Sequence, residues 1–145
     1  MAFDFADTAF LYAPVASGPV GTEVLANTDF ATGQSPWLST NSAAFGVSAG
    51  KLTGTGSAGT FFYQPAGAYV AAMTAGNYRL RVTIDTLTAG AVRAVFNNYA
   101  IDQSISTAGT ATIDFAFGGG GDTTFNLQSQ SFAGTISRVS LLRLP

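Results

Sequence analysis

Between Tyr78 and Ile84 every second residue is apolar: Tyr78, Leu80, Val82 and Ile84 alternate with Arg79, Arg81 and Thr83. A period of two sends one set of side chains to a buried face and the other to solvent, which predicts a half-buried strand. Ala89-Gly90 reads as a turn into a second run, Val92, Ala94 and Phe96, with Arg93 on the opposite face. Centred there, the turn sets Arg93 across from Asp85, a solvent-side pair worth well under about 1 kcal/mol. Ile113, Phe115 and Phe117 alternate with Thr112, Asp114 and Ala116. Four glycines (118–121) then predict a loose turn, and Phe125 and Leu127 alternate with Thr124, Asn126 and Gln128. In the last run, Gly134 to Leu144, the spacing of Ile136, Val139 and Leu141 shifts from even to odd, which predicts a bulge near Ser137–Arg138. Shorter strands are expected at 44–47, 51–54, 60–64 and 69–73. Turn signals every 8–12 residues or so, with no internal repeat, predict an all-β chain: a two-sheet antiparallel β-sandwich.

Residues 1–22 break this rhythm. Phe3, Phe5, Phe10, Leu11 and Tyr12 crowd a segment that then loosens into PVASGPVG. So many aromatics do not rest comfortably in water. The expectation is an extended N-terminal arm (1–22) that binds a neighbouring subunit, followed by a sandwich domain (23–145).

The join is the run VLANTDFATGQSPW, Val24 to Trp37. Apolar Val24 and Leu25 lead into a polar turn at Asn27, Thr28 and Asp29. Phe30 returns to the core, Gly33 and Pro36 break the backbone, and Trp37 follows. This resembles the "hxNGdF…G…W" opening of carbohydrate-binding-module-like (galactose-binding-like) jelly rolls, found on secreted glycoside hydrolases and in virion proteins of tailed phages. KLTGTG (51–56), AGNYRL (75–80) and ISRVSL (136–141) follow in that family's order, where it has "gxLtxtg", "aGktYrvtftv" and "iDnVSl". The resemblance implies a jelly roll, with Phe30 and Trp37 in its core. One such sandwich carries many functions.

Composition removes several kinds of chemistry. At 145 residues the chain is one domain with room for a real core. It has no cysteine, hence no disulfide and no thiolate metal site, and no histidine, the commonest general base and metal ligand. Six basic residues against eight acidic ones give a net charge of −2. The acids Asp4, Asp7 and Glu23 precede every base. No cluster of cations suits nucleic acid, so none is expected as a partner. The opening residues carry no positive charge ahead of their apolar side chains, so they do not read as a secretion signal. No apolar run is long enough for a membrane helix, and no membrane partner is expected.

No catalytic residue is expected. A glycosidase needs two carboxyls about 5–10 Å apart with one pKa raised. Here Asp29, Asp102 and Asp122 fall on turns, while Asp85 and Asp114 take outward strand positions. GGGGD (118–122) lacks the Lys-Ser/Thr of a phosphate loop, and Gly50-Lys51 is followed by Leu52. The resembled family often carries a structural calcium, with the Asp of "IDNVSL" among its ligands. Ser137 and Arg138 stand there instead, so neither metal nor cofactor is expected.

Two roles then compete. Aromatic faces that stack on pyranose rings would make a glycan site, and the candidates are Phe61, Phe62, Tyr63, Tyr69 and Tyr99. Consecutive strand residues point to opposite faces, so either Phe62 or the Phe61/Tyr63 pair is outward. The same rings could instead lie against another subunit. The favoured expectation is a non-enzymatic virion structural protein, a capsid decoration or head-spike protein, located in the virion. It would self-associate, with a trimer favoured, and dock its arm on a major capsid or tail protein. The alternative is a carbohydrate-binding module, or a tail or fibre component, contacting host glycans. Rings open to solvent in a groove favour glycan; rings covered by another chain favour assembly.

Overall fold

The computed structural model describes residues 21–96 and 100–145. Among these, nine antiparallel strands form one hydrogen-bonded network: β1 (Thr22–Glu23), β2 (Leu38–Ser39), β3 (Phe45–Ser48), β4 (Lys51–Thr55), β5 (Ala58–Gln64), β6 (Gly76–Phe96), β7 (Ile101–Ile105), β8 (Gly109–Phe117) and β9 (Phe125–Arg143). The arm residues Phe3, Phe5, Phe10, Leu11 and Tyr12, and also Tyr99, lie outside the described residues.

β6 and β9 pair along almost their whole length, and both bend midway, where their register shifts repeatedly between Thr83 and Ala91. The bends fold the network into two layers. One layer runs β2–β5–β9–β6–β7 through the Phe125-to-Gln130 half of β9. The other runs β3–β4–β9–β6–β8 through its Ala133-to-Arg143 half, with β1 pairing at that end. Their inner faces meet through rings: Phe96 reaches Phe115 at 5.8 Å, and Phe45 reaches Phe62 at 5.9 Å between centroids. The molecule is an antiparallel β-sandwich.

Alternation accounts for the core. Tyr78, Leu80, Val82 and Ile84 are buried, and so are Val92, Ala94 and Phe96. The turn expected at Ala89-Gly90 is instead a corner within one strand. A Cβ on Gly90 would come 2.1 Å from the Ser131 carbonyl oxygen, because β9 crosses it closely there. Arg93 therefore faces Asp102 on β7 rather than Asp85, and Asp85 pairs with Lys51 and Ser137. Likewise the runs around 125 and 134 are halves of one strand. The bulge appears where expected: Thr83 pairs with Arg138 and Ile84 with Ile136, leaving Ser137 over. The strand expected at 69–73 is not formed. A 3-10 turn at Ala66–Ala68 ends β5, and the following stretch packs Tyr69 and Met73 on the core without a ladder.

The Val24-to-Trp37 run is a loop built around Asn27. The Asn27 Nδ2 donates to the Gly33 and Ser35 carbonyls at 2.7 and 3.0 Å, and the Asn27 carbonyl accepts the Trp37 indole N–H at 3.1 Å. Gln64, fully buried, clamps the Ala26 peptide through both ends of its amide. Phe30 and Trp37 are buried, and Asp29 is an exposed turn residue that accepts from the Ala31 N–H. Val24 and Leu25 follow β1 and enter the core.

Candidate functional site

β5 decides which rings face outward. Thr60, Phe62 and Gln64 are buried, so Phe61 and Tyr63 occupy the solvent side and are half-buried. Residues two apart on a strand stand roughly 7 Å apart on one face. Cross-strand pairing sets their neighbours, since directly paired residues share a face. Tyr63 pairs with Asn126 of β9, which pairs with Val95 of β6, which pairs with Asp102 of β7. One row along, Phe61 pairs with Gln128, then Arg93, then Ser104.

Tyr63, Asn126 and Val95 of the first row, with Phe61 of the second, floor an open cleft of about 340 Å³. Phe61, Tyr63, Val95 and Asn126 line it from the sheet, Thr40 from one rim and Asp122 and Thr124 from the other. Each rim is held in place. Thr40 exchanges two hydrogen bonds with Phe61: its N–H donates to the Phe61 carbonyl, and its Oγ1 accepts from the Phe61 N–H, both at 3.0 Å. Opposite, Asp122 Oδ1 accepts from the Thr124 N–H at 2.9 Å, and Asn126 Nδ2 donates to the Thr124 carbonyl at 3.3 Å. The Tyr69 phenol donates to the Thr123 carbonyl from beneath. Burial pushes that phenol well above its ordinary range, the nearby Asp122 carboxylate adds to the rise, and a Phe125 backbone hydrogen bond partly opposes it.

Beside the rings lies a polar network. Arg93 holds Asp102 with two parallel hydrogen bonds, Nε to Oδ1 at 2.6 Å and Nη2 to Oδ2 at 2.9 Å. Its Nη1 donates to Gln128 Oε1 at 3.1 Å, and Ser104 donates to Gln130 at 2.7 Å. The Arg93 hydrogen bonds hold the Asp102 carboxyl below the usual carboxylate range.

Of the candidate rings, the structure brings Phe61 and Tyr63 together at the cleft. It withdraws Phe62, which is fully buried against Trp37, Phe30 and Phe45. Tyr69 is a support under the rim rather than a platform. Asn126, Asp122, Thr124, Thr40 and Val95 join the site without having been singled out. Asn126 lies on the polar side of an alternating run, the one sequence signal that could have found it. Among the described residues no group of three acidic side chains could hold a metal ion.

This architecture matches solved structures. A family 35 carbohydrate-binding module from Clostridium thermocellum superposes with a TM-score of 0.51 at 12% identity, covering 75% of this chain and 94% of that one. The fold is a carbohydrate-binding-module-like jelly roll. The module TmCBM61, solved in complex with β-1,4-galactotriose, gives a TM-score of 0.55 at 17% identity, over 84% of this chain and 99% of that one. At these identities the likeness of the jelly roll to its neighbours carries the fold alone. No protein-family model and no curated protein sequence matches the chain.

Proposed function

We propose that this domain is a non-catalytic carbohydrate-binding module whose ligand lies in the cleft over Phe61 and Tyr63. One observation carries the reading: two rings on the outer side of β5 line an open groove, while the ring between them is buried. Aromatic faces supply flat apolar area at low entropic cost, and a few fixed polar groups supply orientation. Here those groups are Asn126, Thr124, Asp122 and Thr40. The neighbouring carbohydrate-binding folds support this reading.

Affinity electrophoresis through gels cast with different polysaccharides tests it. Retention of the wild-type chain, lost in a Phe61→Ala/Tyr63→Ala variant that still folds, is expected. Free migration of the wild type through every gel sinks it.

A second reading keeps its support in the aromatic segment 1–22: a virion structural protein that docks through Phe3, Phe5, Phe10, Leu11 and Tyr12 and self-associates. Stable contacts of this kind bury about 800 Å² per partner. Deleting residues 1–20 is then expected to leave a folded domain that no longer joins a particle. Both readings hold together if a particle component also grips glycan.

A further inference from the structure

Two amides on the cleft side of β9 are fixed with opposite polarity. Gln128 turns its oxygen to Arg93, so its NH2 group is left for a ligand beside Phe61. Asn126 turns its NH2 toward the Thr124 carbonyl with one N–H, which leaves its oxygen as an acceptor beside Tyr63. Among the described residues neither remaining group has a protein partner. The cleft and the Gln128 position beside it thus present an amide donor and an amide acceptor roughly 7 Å apart along the strand, each next to a ring. Charge narrows the ligand further. Among the described residues Asp122 is the only charged residue lining the cleft, and the Arg93 guanidinium beside Gln128 is paired with both oxygens of Asp102.

Resting on the carbohydrate-binding reading, we infer that the cleft selects neutral polysaccharides, with Gln128 as the ligand donor and Arg93 and Asp102 as positioning residues that fix its orientation. A uronate or sulfate would meet the Asp122 carboxylate, and the cation beside Gln128, Arg93, is already paired with Asp102. A neutral chain would offer hydroxyl and ring oxygens to the Gln128 NH2 and hydroxyl protons to Asn126. Arg93 is suited to its part because a planar fork can hold a carboxylate with two donors and keep a third for Gln128. Lysine cannot reproduce that geometry.

The test uses the full chain on gels containing neutral β-glucan, galactan, xylan or mannan, and on polygalacturonate. Retention by at least one neutral polymer and none by polygalacturonate is expected. Gln128→Glu keeps an oxygen for Arg93 and removes the donor, and Gln128→Met removes both polar atoms without adding charge. Each should weaken retention about tenfold with Trp37 fluorescence unchanged. Arg93→Lys should weaken it similarly alone, and add nothing once Gln128 is replaced, because its effect passes through that amide. A purely structural Arg93 would give additive losses. If the ring variant abolishes retention but the Gln128 and Arg93 variants bind like wild type, the donor relay is wrong and the carbohydrate reading stands. Preferential retention by polygalacturonate overturns the neutral-ligand assignment. No retention of the wild type anywhere overturns both.

Discussion

Trp37 lies flat on Phe62, with ring centroids 5.0 Å apart and planes inclined by 14°. The opening loop and the middle of β5 are joined by this stack. It places the buried ring of the Phe61-Phe62-Tyr63 triplet inward and obliges the other two to face the cleft. Core and site are therefore set by one alternation, which separates their energetics.

Phe62→Ala should cost about 3–5 kcal/mol, the range for emptying a fully packed aromatic site. Phe61→Ala, on a half-exposed ring, should cost under about 1.5 kcal/mol while removing glycan retention. Urea unfolding of the two variants checks this. Equal stability losses would mean that the outer ring is as structural as the inner one.

Glu23 is the anchor of the opening segment. Its Oε2 accepts the N–H groups of Val24, Leu25 and Leu141 at 3.2, 3.1 and 2.9 Å, and its Oε1 accepts from Ser140 at 2.5 Å. Glu23→Gln sets an NH2 group among donors and should cost about 1–3 kcal/mol. A variant as stable as wild type to denaturant would show that the anchor is dispensable.

Gly134 sits at the corner of β9, where an added Cβ would come 2.1 Å from the Thr86 carbonyl oxygen. Backbone cannot yield as a side-chain tip can. Gly134→Ala should lose about 3 kcal/mol or more, or fail to fold solubly. Gly67→Ala, with open space around it, should leave the melting temperature unchanged. Similar melting of both variants would contradict the close crossing.

Acid should weaken the fold by a known sign. Hydrogen bonds from Lys51, Arg93 and Arg79 hold the carboxyls of Asp85, Asp102 and Asp114 below the ordinary carboxylate range. Below the usual value of about 3.9 the unfolded chain binds more protons than the folded one. This stability is therefore present above that value and lost as pH falls through the depressed folded values. The pairs are exposed and screened, so each share is small. With no histidine, melting temperature should be level between about pH 5 and 8 and decline below about 4. A melting temperature that rises toward pH 3 would refute the assignment.

The sandwich was readable because its inner positions alternate cleanly, as from Tyr78 to Ile84 and in Phe125 and Leu127. Ser137 was findable because a bulge changes the parity of the apolar positions. The corner at Gly90 was not, since a glycine after alanine signals a hairpin as readily as a bend; the close approach of Ser131 is what tells them apart. The partners of Arg93 were hidden for the same reason. Cross-strand register joins Arg93, Asp102 and Gln128 from three strands, and no spacing in the chain encodes it. β7 escaped notice because its three middle residues, Asp102, Gln103 and Ser104, are all polar and exposed, which hides the alternation of Ile101 and Ile105.

The long β6–β9 ladder has a consequence for how the domain assembles. Its Phe96–Phe125 end is closed by residues 97–124, whereas its Tyr78–Arg143 end spans the whole intervening chain. Loop-closure entropy favours the shorter closure, so pairing is expected to start at Phe96–Phe125 and run outward through Val95–Asn126 and Arg93–Gln128. The floor of the cleft would then be the earliest part of this ladder to form. Conservative truncations at Phe96 and Phe125 should slow folding, and those at Leu141 should mainly hasten unfolding. The surface proposed to hold ligand would also be the place where the two halves of the sandwich begin to be joined by β6 and β9.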